Sequence, residues 1–243
     1  MKQLIIFVFL ICSINLYSQE IFTAYENKDY KKIEELLEKG ADPNQLKESN
    51  GLTLMFDAAW DNNIRVIKLL HKYGGEVDIK CGVHDLTPIL PACQENAYEA
   101  LIFIVENGAN VNQKFKAAGN QTPIRFGCKT GNIELVGFLL EKGADIEDTP
   151  DDRITPLIQA TQSNHYDLAK FLIDKGANVN AYARDKECAL NEAIKKNNYD
   201  IVKLLIDNGA NLDFVDEDGR SSLKLAKKSK NKQIIQLIKK STK

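Results

Sequence analysis

A glycine that returns every 33 to 35 residues constrains this chain more than any other feature of it. The repeated elements are Gly40-Ala41-Asp42, Gly74-Gly75-Glu76, Gly108-Ala109-Asn110, Gly143-Ala144-Asp145, Gly176-Ala177-Asn178 and Gly209-Ala210-Asn211. Twenty-one residues before the last five glycines stand Thr53, Thr87, Thr122, Thr155 and Cys188. Counting back from Gly40 reaches Gln19, and counting forward reaches Ser221 in a shortened last unit. A period of this length belongs to small supersecondary units that cannot bury an apolar face alone and must stack. It divides the chain into repeats near 19–48, 49–82, 83–117, 118–150, 151–183, 184–216 and 217–243, with residues 1–18 as a separate segment.

Each unit reads as two helices. Thr before Pro, as at Pro88, Pro123 and Pro156, is a helix start: the hydroxyl caps, and proline at the first position has no N–H to lose. The short helix that follows carries a small residue (Ala58, Ala92, Gly127, Ala160 or Ala193) that lets neighbouring units approach. Asn62, Asn96, Gly131, Asn164 and Asn197 then mark a reversal, because these residue types tolerate left-handed backbone. A second, more apolar helix such as Ile201-Val202-Lys203-Leu204-Leu205-Ile206 ends on the repeat glycine, a C-cap. The end units differ as caps should. The second helix of the first is charged from Asp29 to Lys39, and the last sets Lys224, Lys227, Lys228, Lys239 and Lys240 around its apolar residues.

These residues resemble the ankyrin repeat, with its T-P-L-H-x-A helix start, its G-H corner and its V-x-x-L-L-x-x-G-A-D-V-N ending. The resemblance runs from residue 19 to about 240. It implies an all-α ankyrin-repeat solenoid of about seven stacked helix-turn-helix units, both caps included. It also implies a non-catalytic scaffold for protein–protein interaction. One departure stands out: Phe56, Leu90, Arg125, Ile158, Asn191 and Lys224 occupy the position of the motif histidine. The hydrogen bonds that histidine supplies in the family are therefore expected to be missing. Only His165 matches the corner histidine.

Residues 1–18 read as a cleaved signal peptide: Met1-Lys2 is basic, Leu4–Ile14 is almost wholly apolar, and small Ser18 precedes the cut. An apolar run of about a dozen residues is too short to span a bilayer, which takes roughly 20. Export to the periplasm or the outside is the expectation, with a mature chain that spans no membrane and is a monomer. The formal charge of −2 conceals a polarity. Residues 219–243 hold nine basic groups and no acid, whereas residues 19–218 hold 22 against 34, or −12. No nucleic-acid partner is expected.

Reactive constellations are absent from the pattern. His71, His84 and His165 fall in different units, so neither a histidine triad nor a metal site is expected, and no cofactor. The glycines follow the repeat and form no phosphate loop. Of the cysteines beyond the leader, Cys93 and Cys128 share one repeat position. Stacked helices about 8–10 Å apart exceed the roughly 7 Å Cα limit of a disulfide, which predicts four free thiols, with these two buried.

If the resemblance holds, turns and first-helix ends line one concave face, and a partner would meet it there. The helix-end candidates are Trp60, Asp61, Gln94, Glu95, Lys129, Gln162, Lys195 and Lys196; the turn candidates are His84, Leu86, Phe115, Arg153 and Arg184. The strip changes from acidic and polar to basic along the sequence. Phe115 sits in the long polar turn Gln113–Gln121, either a recognition feature or a tolerated insertion. A general scaffold and an inhibitor or immunity protein that blocks an exported enzyme or toxin would use the same face. The Lys-rich end could instead meet an anionic surface.

Overall fold

The computed structural model describes residues 19–242, so the signal-peptide reading of 1–18 lies outside the described residues. Helix pairs divide between two compact units, Met1–Asn110 and Val111–Lys243. The first unit holds α1 (Glu20–Glu26), α2 (Tyr30–Glu38), α3 (Leu54–Trp60), α4 (Ile64–Lys72), α5 (Ile89–Gln94) and α6 (Tyr98–Glu106). The second opens with a 3-10 turn (Lys116–Ala118). It continues with α7 (Pro123–Thr130), α8 (Ile133–Glu141), α9 (Pro156–Gln162), α10 (Tyr166–Asp174), α11 (Ala189–Lys195), α12 (Tyr199–Asp207), α13 (Ser222–Ser229) and α14 (Lys232–Ser241). Isolated bridges such as Leu46–Thr53 and Val215–Ser221 close the turns, and no strand occurs among the described residues.

Within each unit, first helices stack on first helices and second on second: α3 on α5, α4 on α6, α7 on α9, α9 on α11, and α10 on α12. The small residues make this possible. Ala58, Ala92, Ala160 and Ala193 are fully buried, and a Cβ on Gly127 would stand 2.5 Å from Leu135 Cδ2. First helices add Leu54, Met55, Ile89, Ile124 and Leu157 to the core, and the amphipathic second helices add Ile33, Leu36, Ile67, Leu70, Leu101 and Leu172. Each such side chain contributes about 1.5–3 kcal/mol when removed from water.

The corners follow the sequence closely. Asn62, Asn96, Gly131, Asn164 and Asn197 all have positive φ, and so do all six repeat glycines. The caps follow it less well. Thr53, Thr155 and Ser221 cap the next helix through their hydroxyls, accepting from the N–H of Phe56, Ile158 and Lys224. Thr122 does not; its hydroxyl donates to Asp148 Oδ2 at 2.8 Å and accepts no N–H of the helix. Thr87 Oγ1 is buried with no partner among the described residues, although its Thr-Pro pair predicted a cap. Side-chain caps concentrate instead on the second helices, where Asp29, Asn63, Asn132, Asn198 and Asn231 accept from backbone N–H groups.

A second set of bonds ties repeat to repeat behind the glycines. Asn44 accepts from Glu76 N at 2.7 Å and donates to Gly74 O at 3.2 Å. Asn112 and Asn180 bridge in the same way to Gly143 and Asp145, and to Gly209 and Asn211. Each bond satisfies a backbone group at a helix end that would otherwise stay unpaired. The turn tips add backbone bonds of their own, Gly82 N to Gly51 O at 2.7 Å and Arg184 N to Asp152 O at 2.9 Å.

Phe115 corrects an expectation. It is 1% exposed and meets Phe126 edge-on at 6.1 Å, so it is core and is not presented to a partner. The turn around it is ordered: Phe115 and Gln121 bridge, Gly119 and Asn120 take positive φ, and Asn120 donates to Asp151 at 2.9 Å. The insertion therefore buries an aromatic ring at a bridge position where the shorter turn leaves Tyr182 48% exposed.

Candidate functional site

In the first unit, the ends of α1 and α3 and the corners after them enclose a groove of about 680 Å³. Trp60, the only tryptophan, closes α3 and stands 47% exposed on its rim. Beside it Asp61 is held by Tyr25, whose hydroxyl donates to Asp61 Oδ2 at 2.7 Å. Burial and the neighbouring Asp61 carboxylate push the Tyr25 phenol well above its usual range, which keeps it a donor. Glu26 accepts from Lys47 at 2.8 Å, and the Arg65 guanidinium lies 5.0 Å over the Tyr30 ring. Half-buried Asp57 lines the same groove, and its carboxylate accepts no hydrogen bond from a described residue. Burial raises its pKa, and the Asp61 and Glu26 charges add to that against the opposing pull of Lys47.

Of the sequence candidates, the chain neighbours Trp60 and Asp61 line this groove, whereas Tyr25, Tyr30 and Asp57, which line it too, were not among them. A signal for Tyr25 was present. It stands where the next three repeats place Ala59, Cys93 and Cys128, so a large polar aromatic ring occupies a slot that the nearest repeats fill with small residues. Of the other candidates in this unit, Gln94, Glu95 and His84 are exposed and Leu86 is half-buried.

The second unit binds more of its own charge than the sequence suggested. Arg125 is 3% exposed. Its guanidinium donates to both oxygens of Asp152 at 2.9 and 3.0 Å, to Gln159 Oε1 at 2.9 Å and to the Ile154 carbonyl. Burial alone would raise the Asp152 carboxyl, but these bonds and the Ile154 N–H outweigh it and hold it below the usual carboxylate range. The hydrogen-bonded layer expected to vanish with the motif histidine is therefore present here, built on arginine.

Lys129 is exposed, donates to Gln121 at 2.9 Å and lies 4.8 Å over the Phe126 ring; partial burial lowers its pKa. Lys195 is engaged by Glu187 and Glu192, whose bonds outweigh its burial and raise its pKa. Arg184 shares a shallow pocket of about 470 Å³ with Asp151, Asp152, Asp185 and Glu217. The strip in this unit is consequently a mosaic of both signs, because acids interleave with the cations read from the sequence. Arg153 is exposed with its guanidinium 5.9 Å from the Tyr182 ring, Gln162 is half-buried at the end of α9, and Lys196 is exposed.

His165 and His71 serve the frame. His165 Nε2 lies 3.0 Å from the Lys129 carbonyl, with its ring against Gly131. His71 Nδ1 lies 3.3 Å from Gly75 O, and its ring meets Phe103 edge-on at 5.4 Å. The four cysteines among the described residues are free and buried, Cys81 and Cys188 as well as the expected pair. Burial pushes the Cys93 and Cys128 thiols far up, which makes them poor nucleophiles. Among the described residues no group of three His, Cys, Asp or Glu could hold a metal ion, and no helix is long and apolar enough to cross a membrane.

The sequence profile described as Ankyrin repeats (3 copies) matches residues 21–115, 114–183 and 180–243. A putative ankyrin repeat protein of fowlpox virus, FPV031, is 35% identical over 113 residues, which are 46% of this chain and 33% of that one. The nuclear factor NF-kappa-B p105 subunit of Gallus gallus is 28% identical over 147 residues, 59% of this chain and 15% of that one. The chain thus spans a third or less of these two relatives. The crystal structure of the human ASB11 ankyrin repeat domain superposes with a TM-score of 0.78 at 25% identity, covering 90% of this chain and 96% of that one. That fold is typically a non-catalytic interaction scaffold. With the helix pairs, the left-handed corners and the profile agreeing over nearly all described residues, the chain belongs to the ankyrin repeat family as an all-α repeat protein.

Proposed function

We propose that this chain is an exported, non-catalytic scaffold that binds another protein through its first-helix ends and turns. One observation carries the reading: exposed side chains such as Trp60, Gln94, Lys129 and Lys196 stand on a backbone tied repeat to repeat by side-chain and turn bonds. A surface held this way loses little conformational freedom on binding, which is a large part of the cost of association. Export is supported by the basic start and apolar run of residues 1–18.

Affinity capture from the extracytoplasmic fraction of the source organism tests the binding surface, provided that surface variants are compared. Trp60→Ala and Lys196→Glu should each release the partner, while Lys203→Glu on the second helix α12 should not. Retention by both of the first variants would refute the assigned surface. If the captured protein is a hydrolase or toxin, its inhibition on binding would specify a blocking role. Amino-terminal sequencing of the exported protein should begin at Gln19; a cytosolic chain that keeps Met1 would end the export reading.

A further inference from the structure

The groove beside Trp60 carries chemistry that a general binding surface does not need. Eight aromatic rings of the protein lie near one of its own cations, including Tyr30 in this groove, but Trp60 has no such partner among the described residues. Indole is the best of the side-chain rings for holding a cation. The acids around it are unequally satisfied. Glu26 is engaged by Lys47, and Asp61 accepts the Tyr25 hydroxyl through Oδ2 only. Asp57, half-buried, accepts no hydrogen bond from a described residue and is met only by the charge of Lys47, so part of its lost hydration is uncompensated. Of the cations that face the groove, Lys47 is committed to Glu26 and Arg65 lies over Tyr30, while Lys28 is exposed to solvent. What is missing is one cation on an apolar stem.

We propose that this groove receives an arginine or lysine side chain of the protein partner, its stem against Trp60 and its charge on Asp57 and Asp61. This rests on the scaffold reading above and adds the chemistry of what is recognised. The Tyr25 bond fixes the Asp61 carboxylate in advance, so the site is assembled before the ligand arrives.

Because Trp60 is the only tryptophan, its fluorescence reports the groove directly. The full chain is titrated with three blocked tripeptides, glycine-X-glycine, in which X is arginine, lysine or neutral citrulline. The arginine and lysine peptides should give a saturable change, and citrulline should bind at least about fivefold more weakly. Added salt should weaken the first two alone. Asp57→Asn and Asp61→Asn, isosteric and checked for folding by circular dichroism, should each reduce the arginine affinity about three- to tenfold. Equal binding of arginine and citrulline, no fluorescence change, or unaltered affinity in both folded variants would overturn the proposal. A captured partner that stays fully bound to Asp57→Asn and Asp61→Asn sinks the cation site and leaves the scaffold standing. Arginine binding without any protein partner would do the reverse.

Discussion

Arg125 and Asp78 show how much a single side chain decides inside a repeated frame. Arg125 occupies the slot of the motif histidine and satisfies four acceptors from one buried guanidinium. Arg125→Met should cost about 2–3 kcal/mol, less than a fully buried pair would, because half-exposed Asp152 can recover water. A double-mutant cycle with Asp152→Asn, read by urea unfolding, should show strong coupling; additive effects would mean the pair is incidental. Asp78 holds the position of Asn44, Asn112 and Asn180 but cannot donate to the following glycine carbonyl. Its Oδ1 is buried without a partner among the described residues, and burial raises its pKa above 3.8. Asp78→Asn should therefore stabilise the protein by about 0.5–1 kcal/mol at neutral pH. The raised folded pKa fixes the sign: ionised Asp78 is a penalty above that pKa, and the penalty fades as pH falls to 3.8. Unfolding midpoints of the two proteins should converge on acidification; a gap that persists near the ordinary carboxylate pKa would contradict this. Neither residue's role was legible in the sequence, because it depends on the atoms that the neighbouring repeat presents.

Elements were easier to read than their fastenings. The helices and left-handed corners follow from residue type, since only Asn and Gly occupy the five predicted reversals and all have positive φ. Caps were legible only in part, because residue type does not tell that the Thr122 hydroxyl turns to Asp148 and caps no N–H of its helix. The turn from Gln113 to Gln121 was misread for a related reason: a polar stretch predicts exposure, but Phe115 turns inward beneath it. Phe115→Ala should cost about 3 kcal/mol in unfolding free energy, where a contact residue would cost almost none. The corner at Gly131 has its own reason for lacking a side chain. A Cβ there would stand 2.6 Å from His165 Nδ1, so the ring fills the space that asparagine takes elsewhere. Gly131→Asn should destabilise by about 1–2 kcal/mol, and His165→Ala should remove most of that difference. Equal effects with and without the ring would assign the cost to backbone conformation instead.

At the scale of the molecule, the period fixed the family and the composition said little. A fixed interval of glycines and threonines survives changes at individual positions, which is why the repeats were legible while the binding chemistry was not. Tyr25, Asp57 and Trp60 lie in two different repeats, and only folding brings them to one groove. Likewise, lysines counted along the sequence overstate a basic face, because Glu187 and Glu192 engage Lys195 and acids surround Arg184. The central claim is that the first-helix ends and turns, not the second helices, meet the partner. The most direct measurement is the dissociation constant of the captured partner for Trp60→Ala against Lys203→Ala. Trp60→Ala should lose about 2 kcal/mol, roughly thirtyfold, and Lys203→Ala should bind as tightly as the unaltered chain. Full affinity in Trp60→Ala, or an equal loss in both, would contradict that claim.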